Sequence, residues 1–152
     1  MSFKLFLSNL FLLGLLSANL GLYLGLAEAS DPVSAIEKFF VHFNEMDKDK
    51  LNDVSDSPFV FSIGGNTTKA DRYGDLINFE GLKKSGWAYS KLSETRLIYQ
   101  DEATAMIDFS FTRRDKNDEV ISSTKAIYVL VKKQNTWKLK AGFIPDSLTL
   151  GH

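Results

Sequence analysis

The chain has 152 residues, a formal net charge of −1 and no cysteine. A near-neutral chain without a basic run is not expected to bind nucleic acid, because phosphate binding requires clustered cations. The lack of cysteine excludes disulfides, thiolate metal sites and a cysteine nucleophile. Only two histidines are present, His42 and His152, so no metal site is expected, and no motif indicates a cofactor.

Residues 1–29 have the pattern of an export signal. One lysine precedes an uncharged, leucine-rich run over residues 5–26, and Ala27 and Ala29 place small side chains where a signal peptidase cleaves. The alternative is an uncleaved anchor, since that run is long enough to cross a bilayer. Both interpretations place the rest of the chain outside the cytoplasm, periplasmic or secreted, and only the anchor implies a membrane partner.

A helix is predicted directly after this segment. Asp31 can cap its first N–H groups, and Pro32 fits the first turn, where its missing N–H costs nothing. Apolar residues then recur at helical spacing and form one stripe, namely Val33, Ile36, Phe39, Phe40, Phe43 and Met46. Three phenylalanines on one stripe indicate a deep partner surface, which is most simply a curved sheet. Leu51 and Val54 suggest a short second helix, and residues 55–58 are predicted to end it.

The middle of the chain is predicted to hold one strand and one helix. Residues 59–63 have high strand propensity, and Gly64-Gly65-Asn66 is typical of a turn. Residues 70–85 are predicted as a helix, because two lysines and Gly86 mark a helical C-terminus.

Four successive strands are predicted for the last third, at residues 93–100, 103–114, 119–133 and 137–144. The second strand alternates, with Phe109, Phe111 and Arg113 on one face and Asp108 on the other. The third strand is long enough to require a bend or bulge. Pro145 ends the last strand, and residues 147–152 are predicted to be a tail.

This order of elements resembles the nuclear transport factor 2-like superfamily, also known as SnoaL-like or ketosteroid-isomerase-like. The segments that carry the resemblance are Phe39-Phe40 and residues 59–65, 85–90, 111–114, 128–130 and 137–139. The resemblance implies an α+β cone-shaped roll over residues 30–146, in which N-terminal helices pack on a strongly curved, mostly antiparallel sheet. It also implies a pocket inside the cone and a dimer interface on the outer face of the sheet.

Candidate site residues follow from this expected geometry. The ligand pocket is predicted to be lined by aromatic walls and one cation that suits a ligand carboxylate, namely Phe39, Phe43, Phe61, Trp87, Tyr89, Phe109, Phe111, Arg113 and Tyr128. Simple core packing is the alternative for each aromatic residue. The candidates for acid–base chemistry are His42, Asp108 and Arg113, although the catalytic residues of ketosteroid isomerase cannot be matched one by one.

Three functions remain open on the sequence alone. The first is non-catalytic binding of a small apolar or amphipathic molecule in the cone pocket. The second is an enzyme of the isomerase, dehydratase or cyclase type that uses acid–base chemistry in the same pocket. The third is a protein-interaction module. A homodimer is expected through the outer sheet face, which carries Thr104, Met106, Asp108, Ser110 and Thr112.

Overall fold

The computed structural model describes residues 31–152, so the predicted export signal lies outside the described residues. Three helices and six strands follow in the order α1 (Pro32–Asn44), α2 (Lys48–Asp53), β1 (Ser55–Ile63), β2 (Asn66–Ala70), a 3₁₀ helix (Tyr73–Leu76), α3 (Phe79–Lys84), β3 (Tyr89–Gln100), β4 (Thr104–Arg114), β5 (Val120–Lys133) and β6 (Thr136–Ile144). Within residues 31–152, no helix is long and apolar enough to cross a membrane.

Helix α1 begins as its sequence predicts, and its phenylalanines face inward, although Met46 of the predicted stripe lies beyond the helix end and is 38% exposed. The Asp31 carboxylate accepts a hydrogen bond from the Ser34 N–H, and Pro32 occupies the first turn. The buried side of the helix carries Ala35, Ile36, Phe39, Phe40 and Phe43. This stripe packs against the inner face of the sheet, where Phe40 meets Phe109 and Phe111 at ring-centroid distances of 5.7 and 5.3 Å.

The six strands form one sheet in the order β2-β1-β6-β5-β4-β3. All neighbours are antiparallel except β1 and β6, which are parallel. The pairing of the long β5 strand with β6 shifts register between Val129 and Leu130. A bend or bulge was predicted for this strand because of its length. Burial alternates strictly along β4, so Phe109, Phe111 and Arg113 face the core. The α+β architecture of helices packed on a curved, mostly antiparallel sheet is the predicted fold class.

Two local predictions need correction. Helix α2 ends before residues 55–58, as predicted, but the strand predicted over residues 59–63 begins earlier, at Ser55, and contains a cis Ser57–Pro58 bond. Residues 70–85 are not one helix, because β2, the 3₁₀ helix and α3 divide the segment. The Asn78 side chain accepts a hydrogen bond from the Gly81 N–H, so α3 starts from its own cap and the preceding Ile77 stays extended.

The core fills the space between the helices and the inner face of the sheet. Phe59, Leu82, Ile107, Leu130 and Leu139 are fully buried there. The segment after β6, which is predicted to be a tail, also contacts this core through the partly buried side chains of Leu148 and Leu150. The 147–152 segment therefore lies over the interior of the fold.

Candidate functional site

A small cavity lies between α1 and the inner face of the sheet. Its volume is about 20 Å³, which is room for about one water molecule. Aromatic side chains make up most of its wall, and the full lining consists of Phe39, Phe40, Phe43, Phe61, Tyr73, Ser90, Phe111, Arg113, Tyr128, Leu148 and Leu150. Among the described residues, the lining holds one charged side chain, Arg113, and neither a carboxylate nor an imidazole.

Arg113 is the most unusual group of this site. It is the penultimate residue of β4 and is only 4% exposed. Its Nη1 donates a hydrogen bond of 2.7 Å to the Thr149 carbonyl oxygen, and its Nε has no hydrogen-bond partner within residues 31–152. Burial lowers the pKa of the guanidinium, whereas the nearby Tyr73 and Tyr128 act in the opposite direction. The result is a buried cation without a neighbouring anion in the described chain.

Tyr73 and Tyr128 place two hydroxyl groups beside this cation. Burial raises the pKa of Tyr73 well above its ordinary range, and the neighbouring Tyr128 raises it further. Burial also raises the pKa of Tyr128, although a hydrogen bond with Tyr73 and the charge of Arg113 oppose that shift. Both side chains therefore stay neutral at physiological pH and act as hydrogen-bond donors or acceptors, not as bases.

The 147–152 segment closes the cavity. Besides the bond from Arg113, the Leu150 carbonyl oxygen accepts a hydrogen bond of 2.8 Å from the Asn78 N–H, and His152 Nε2 lies 3.2 Å from the Leu76 carbonyl oxygen. The backbone of Gly151 also lies directly against α3, since a Cβ added to Gly81 would overlap the Gly151 carbonyl oxygen. A segment with few anchors thus covers the opening of the cone.

Six of the nine predicted pocket residues line the cavity, and three lie elsewhere. The six are Phe39, Phe43, Phe61, Phe111, Arg113 and Tyr128. Phe109 packs against the Tyr128 ring at a centroid distance of 5.0 Å, within the aromatic core. Trp87 packs against Phe43 and Phe79, and its Nε1 donates a hydrogen bond of 3.0 Å to the Ser90 hydroxyl. Tyr89 is half-buried, and its hydroxyl contacts the Asp118 carboxylate at the β4–β5 turn.

The two other candidates for acid–base chemistry lie outside the cavity. His42 Nδ1 pairs with the Glu45 carboxylate at 3.1 Å, in a surface groove between α1 and the β5–β6 turn. Asp108 lies on the outer face of the sheet, 32% exposed, and forms an ion pair of 2.7 Å with Arg96. Arg114, not Arg113, forms the ion pair with the polar β4–β5 turn, through Asp118.

Sequence reasoning missed five cavity residues, namely Phe40, Tyr73, Ser90, Leu148 and Leu150. Phe40 was recognised as part of the helical stripe but not as a wall of the pocket. Tyr73 was hidden by the prediction of one helix over residues 70–85. The spacing of Leu148, Leu150 and the intervening Thr149 is an apolar–polar–apolar alternation, which could have indicated that the segment lies against the core.

The family described as "NTF2-like protein (DUF6841)" matches residues 32–144. No match was found among curated proteins. Among solved structures, a protein of unknown function with a cystatin-like fold from Nostoc punctiforme PCC 73102 is similar, with a TM-score of 0.60 and 13% identity over 73% of this chain and 84% of that chain.

Two further structures show the same fold. An NTF2-like protein from Cytophaga hutchinsonii ATCC 33406 has a TM-score of 0.56 and 13% identity, covering 76% of this chain and 93% of that one. A ketosteroid isomerase-like protein from Erwinia carotovora atroseptica SCRI1043 has a TM-score of 0.53 and 12% identity, over 73% and 89% of the two chains. At such identities these likenesses establish the fold alone. The family match covers most of the described residues, and the chain therefore belongs to this NTF2-like family.

Proposed function

We propose that the chain binds a small apolar or amphipathic molecule inside its cone, in the space that the 147–152 segment now covers. One observation carries this proposal: aromatic walls surround a buried, polar end that consists of Arg113, Tyr73 and Tyr128. Ligand sites are mostly apolar, with a few polar groups that fix orientation. The cavity of about 20 Å³ is too small for such a molecule, so Leu148 and Leu150 must move when it binds.

Native mass spectrometry and thermal-shift screening against lipids, steroids and aromatic acids test this function. A molecule that binds in the cone should lose affinity at least threefold in Phe111→Leu, which alters the cavity wall. The matched control is Phe143→Leu, because Phe143 is 45% exposed and lies on the outer face. Equal affinities in both variants would place the ligand elsewhere, and a complete lack of binding would refute the proposal.

A second candidate is acid–base chemistry of the isomerase or dehydratase type. Tyr73, Tyr128 and Arg113 favour it, since donors of this kind can stabilise negative charge on a carbonyl oxygen. It is the weaker candidate, because no base lines the cavity among residues 31–152 and His42 and Asp108 lie outside. Its test is solvent-deuterium exchange at the α-carbon of a bound ketone. Exchange that Arg113→Met does not change would count against it.

We also propose that the chain forms a homodimer through the outer face of its sheet. This proposal belongs to the third candidate function, a protein-interaction module, which needs a surface for a partner. Ile127 and Phe143 are register partners on this face and are 37% and 45% exposed. The neighbouring Arg96–Asp108 pair supplies both signs of charge, which suits an interface in which the same surface of two identical copies meets. Light scattering should give a dimer for the wild type and a monomer for Ile127→Glu. Val41→Glu, on the exposed side of α1, is the control and should remain dimeric.

Export of the domain is a separate proposal. It is supported by the lysine, the leucine-rich run and the small residues of positions 1–29. N-terminal sequencing of the protein from the extracytoplasmic fraction should begin at Ser30 if the signal is removed. A chain that keeps Met1 and stays with the membrane fraction would instead indicate an anchor, and a chain found in the cytoplasm would refute export.

A further inference from the structure

The contacts of Arg113 indicate which class of molecule the cone takes. A buried cation without a partner charge lowers stability, because desolvation is not offset by an ion pair. Within residues 31–152, no carboxylate lies within ion-pair distance of this guanidinium. It instead donates to one backbone carbonyl, of Thr149, and its Nε stays unpaired. Such a group is suited to an anion that comes from outside the chain.

The 147–152 segment offers the cavity an amphipathic surface. The Thr149 carbonyl oxygen accepts a hydrogen bond from Arg113, and the apolar side chains of Leu148 and Leu150 lie against the aromatic wall. A carboxylate binds a guanidinium more strongly than a neutral carbonyl does, and it can accept two parallel hydrogen bonds. A ligand with an apolar body and one carboxylate would therefore replace every contact that the segment makes with the cavity.

We propose that the cone binds a compact apolar monocarboxylate, whose carboxylate takes the position of the Thr149 carbonyl on Arg113 as the 147–152 segment leaves. This inference rests on the proposed function and names its ligand class. A single negative charge is expected, because Arg113 is the one charged side chain of the lining among the described residues. A second charge on the ligand would be buried against phenylalanine without compensation.

The segment is built so that it can be displaced. Outside its own residues, its backbone carbonyls accept hydrogen bonds from Arg113 and from the Asn78 N–H, and Leu148 and Leu150 are only partly buried. Gly81 allows the close approach of Gly151, and a methyl group at position 81 would remove the room for it. Gly81→Ala also places a better helix former inside α3. This variant should therefore open the cavity, with a small shift of the Asn78 side chain, whose Nδ2 would lie 3.1 Å from the added Cβ.

The test measures binding of matched probes to the purified protein by calorimetry. Octanoate and phenylacetate are the monocarboxylates, and octan-1-ol and phenylacetamide are their neutral counterparts. We expect the acids to bind at least tenfold more tightly than the neutral probes. Arg113→Met should abolish this preference, Arg113→Lys should retain part of it, and Gly81→Ala should strengthen binding of the acids severalfold. Lys84→Ala, on the exposed side of α3, is the control for Gly81→Ala and should not change affinity.

Amide exchange reports on the segment itself. The Asn78 N–H donates to the Leu150 carbonyl oxygen, so its protection should fall as octanoate saturates the protein. Unchanged protection at saturation would overturn the displacement.

Equal binding of acids and neutral probes would overturn the ligand class and leave the proposed function standing. An acid preference that survives Arg113→Met would place the carboxylate elsewhere and overturn the inference as well. If neither the wild type nor Gly81→Ala binds any probe, the inference fails. The proposed function fails with it if the wider screen also gives no ligand.

Discussion

The side-chain amide of Asn44 forms two hydrogen bonds with the backbone of Ser90. Asn44 Nδ2 donates to the Ser90 carbonyl oxygen, and the Ser90 N–H donates to Asn44 Oδ1, both at 2.8 Å. The last residue of α1 is thereby fixed to the start of β3. Ser90 itself lines the cavity and its hydroxyl accepts a hydrogen bond from Trp87. One amide thus links the end of the helical wall of the cone to the sheet.

Asn44→Ala should lower the free energy of unfolding by about 2–4 kcal/mol, because two hydrogen bonds disappear and the buried Ser90 backbone groups lose their partners. Urea unfolding followed by tryptophan fluorescence measures the change. Glu37→Ala, on the exposed side of α1, is the control and should change stability by less than about 0.5 kcal/mol. A loss in Asn44→Ala no larger than in this control would show that the link is not needed.

Gly142 of β6 provides the close approach that the aromatic core requires. A Cβ at this position would lie 2.6 Å from Phe61 Cε2 and 2.7 Å from Tyr128 Cε1. Gly142→Ala should therefore destabilise the protein by about 1–3 kcal/mol through overpacking. Thermal and urea unfolding measure this loss.

The partner substitution for Gly142→Ala is Phe61→Leu, because a smaller side chain at position 61 makes room for the added methyl group. In a double-mutant cycle, the two changes together should cost less than the sum of the single losses. Strictly additive losses would show that Phe61 does not limit position 142.

Much of the fold was readable from patterns that repeat along the chain. The phenylalanine stripe of α1 and the alternation of β4 were both confirmed, since each is a periodic signal repeated over several residues. Arg113 was identified as an inward-facing cation for the same reason, because it shares the register of Phe109 and Phe111.

The errors lie where non-local contacts decide the structure. Residues 70–85 have a helical composition. However, the Gly74 N–H donates a hydrogen bond of 2.7 Å to the Asn52 side chain, and the Asn78 N–H donates one to the Leu150 carbonyl oxygen. These contacts join segments far apart in sequence, and they divide the predicted helix. The closing of the cavity by Leu148 and Leu150 was not predicted either, because the alternation over residues 148–150 is a weak signal when it spans only three residues.

Asp101 fixes the turn between β3 and β4. One of its carboxylate oxygens accepts hydrogen bonds from the N–H groups of Ala103 and Thr104, at 2.8 and 2.7 Å, and the other accepts from the Tyr99 hydroxyl. The Tyr99 bond, followed by the two backbone bonds, holds the pKa of Asp101 below its ordinary value of 3.8. The folded state therefore binds the Asp101 proton less readily than the unfolded state does. As a result, the ionised carboxylate stabilises the fold at pH values above 3.8, and this contribution is lost as the pH falls through the lowered pKa of Asp101.

Asp101→Asn should flatten this acid dependence. The asparagine oxygen can still accept both backbone hydrogen bonds, and its amide can donate to the Tyr99 oxygen, so stability at neutral pH should change little. Urea unfolding at about pH 5 and about pH 3 measures the difference. Glu102→Gln, at the neighbouring exposed position, is the control and should keep the acid dependence of the wild type. Parallel behaviour of Asp101→Asn and the wild type would contradict the assignment.

Tyr73 should make the protein sensitive to alkali. Its pKa is raised well above the ordinary value of 10.0, mainly by burial. Above that value the folded state retains a proton that the unfolded state releases, so the free energy of unfolding falls as the pH rises. Tyr73→Phe removes the ionisable group. The variant should lose about 1 kcal/mol at neutral pH through the missing hydroxyl, yet its stability should decline less steeply above about pH 10. Urea unfolding at neutral pH and at about pH 11 measures both effects.

Tyr128→Phe should behave in the same way, because burial also raises the pKa of Tyr128. Equal alkaline slopes for the wild type and both variants would show that these hydroxyls ionise as readily in the fold as in the unfolded chain.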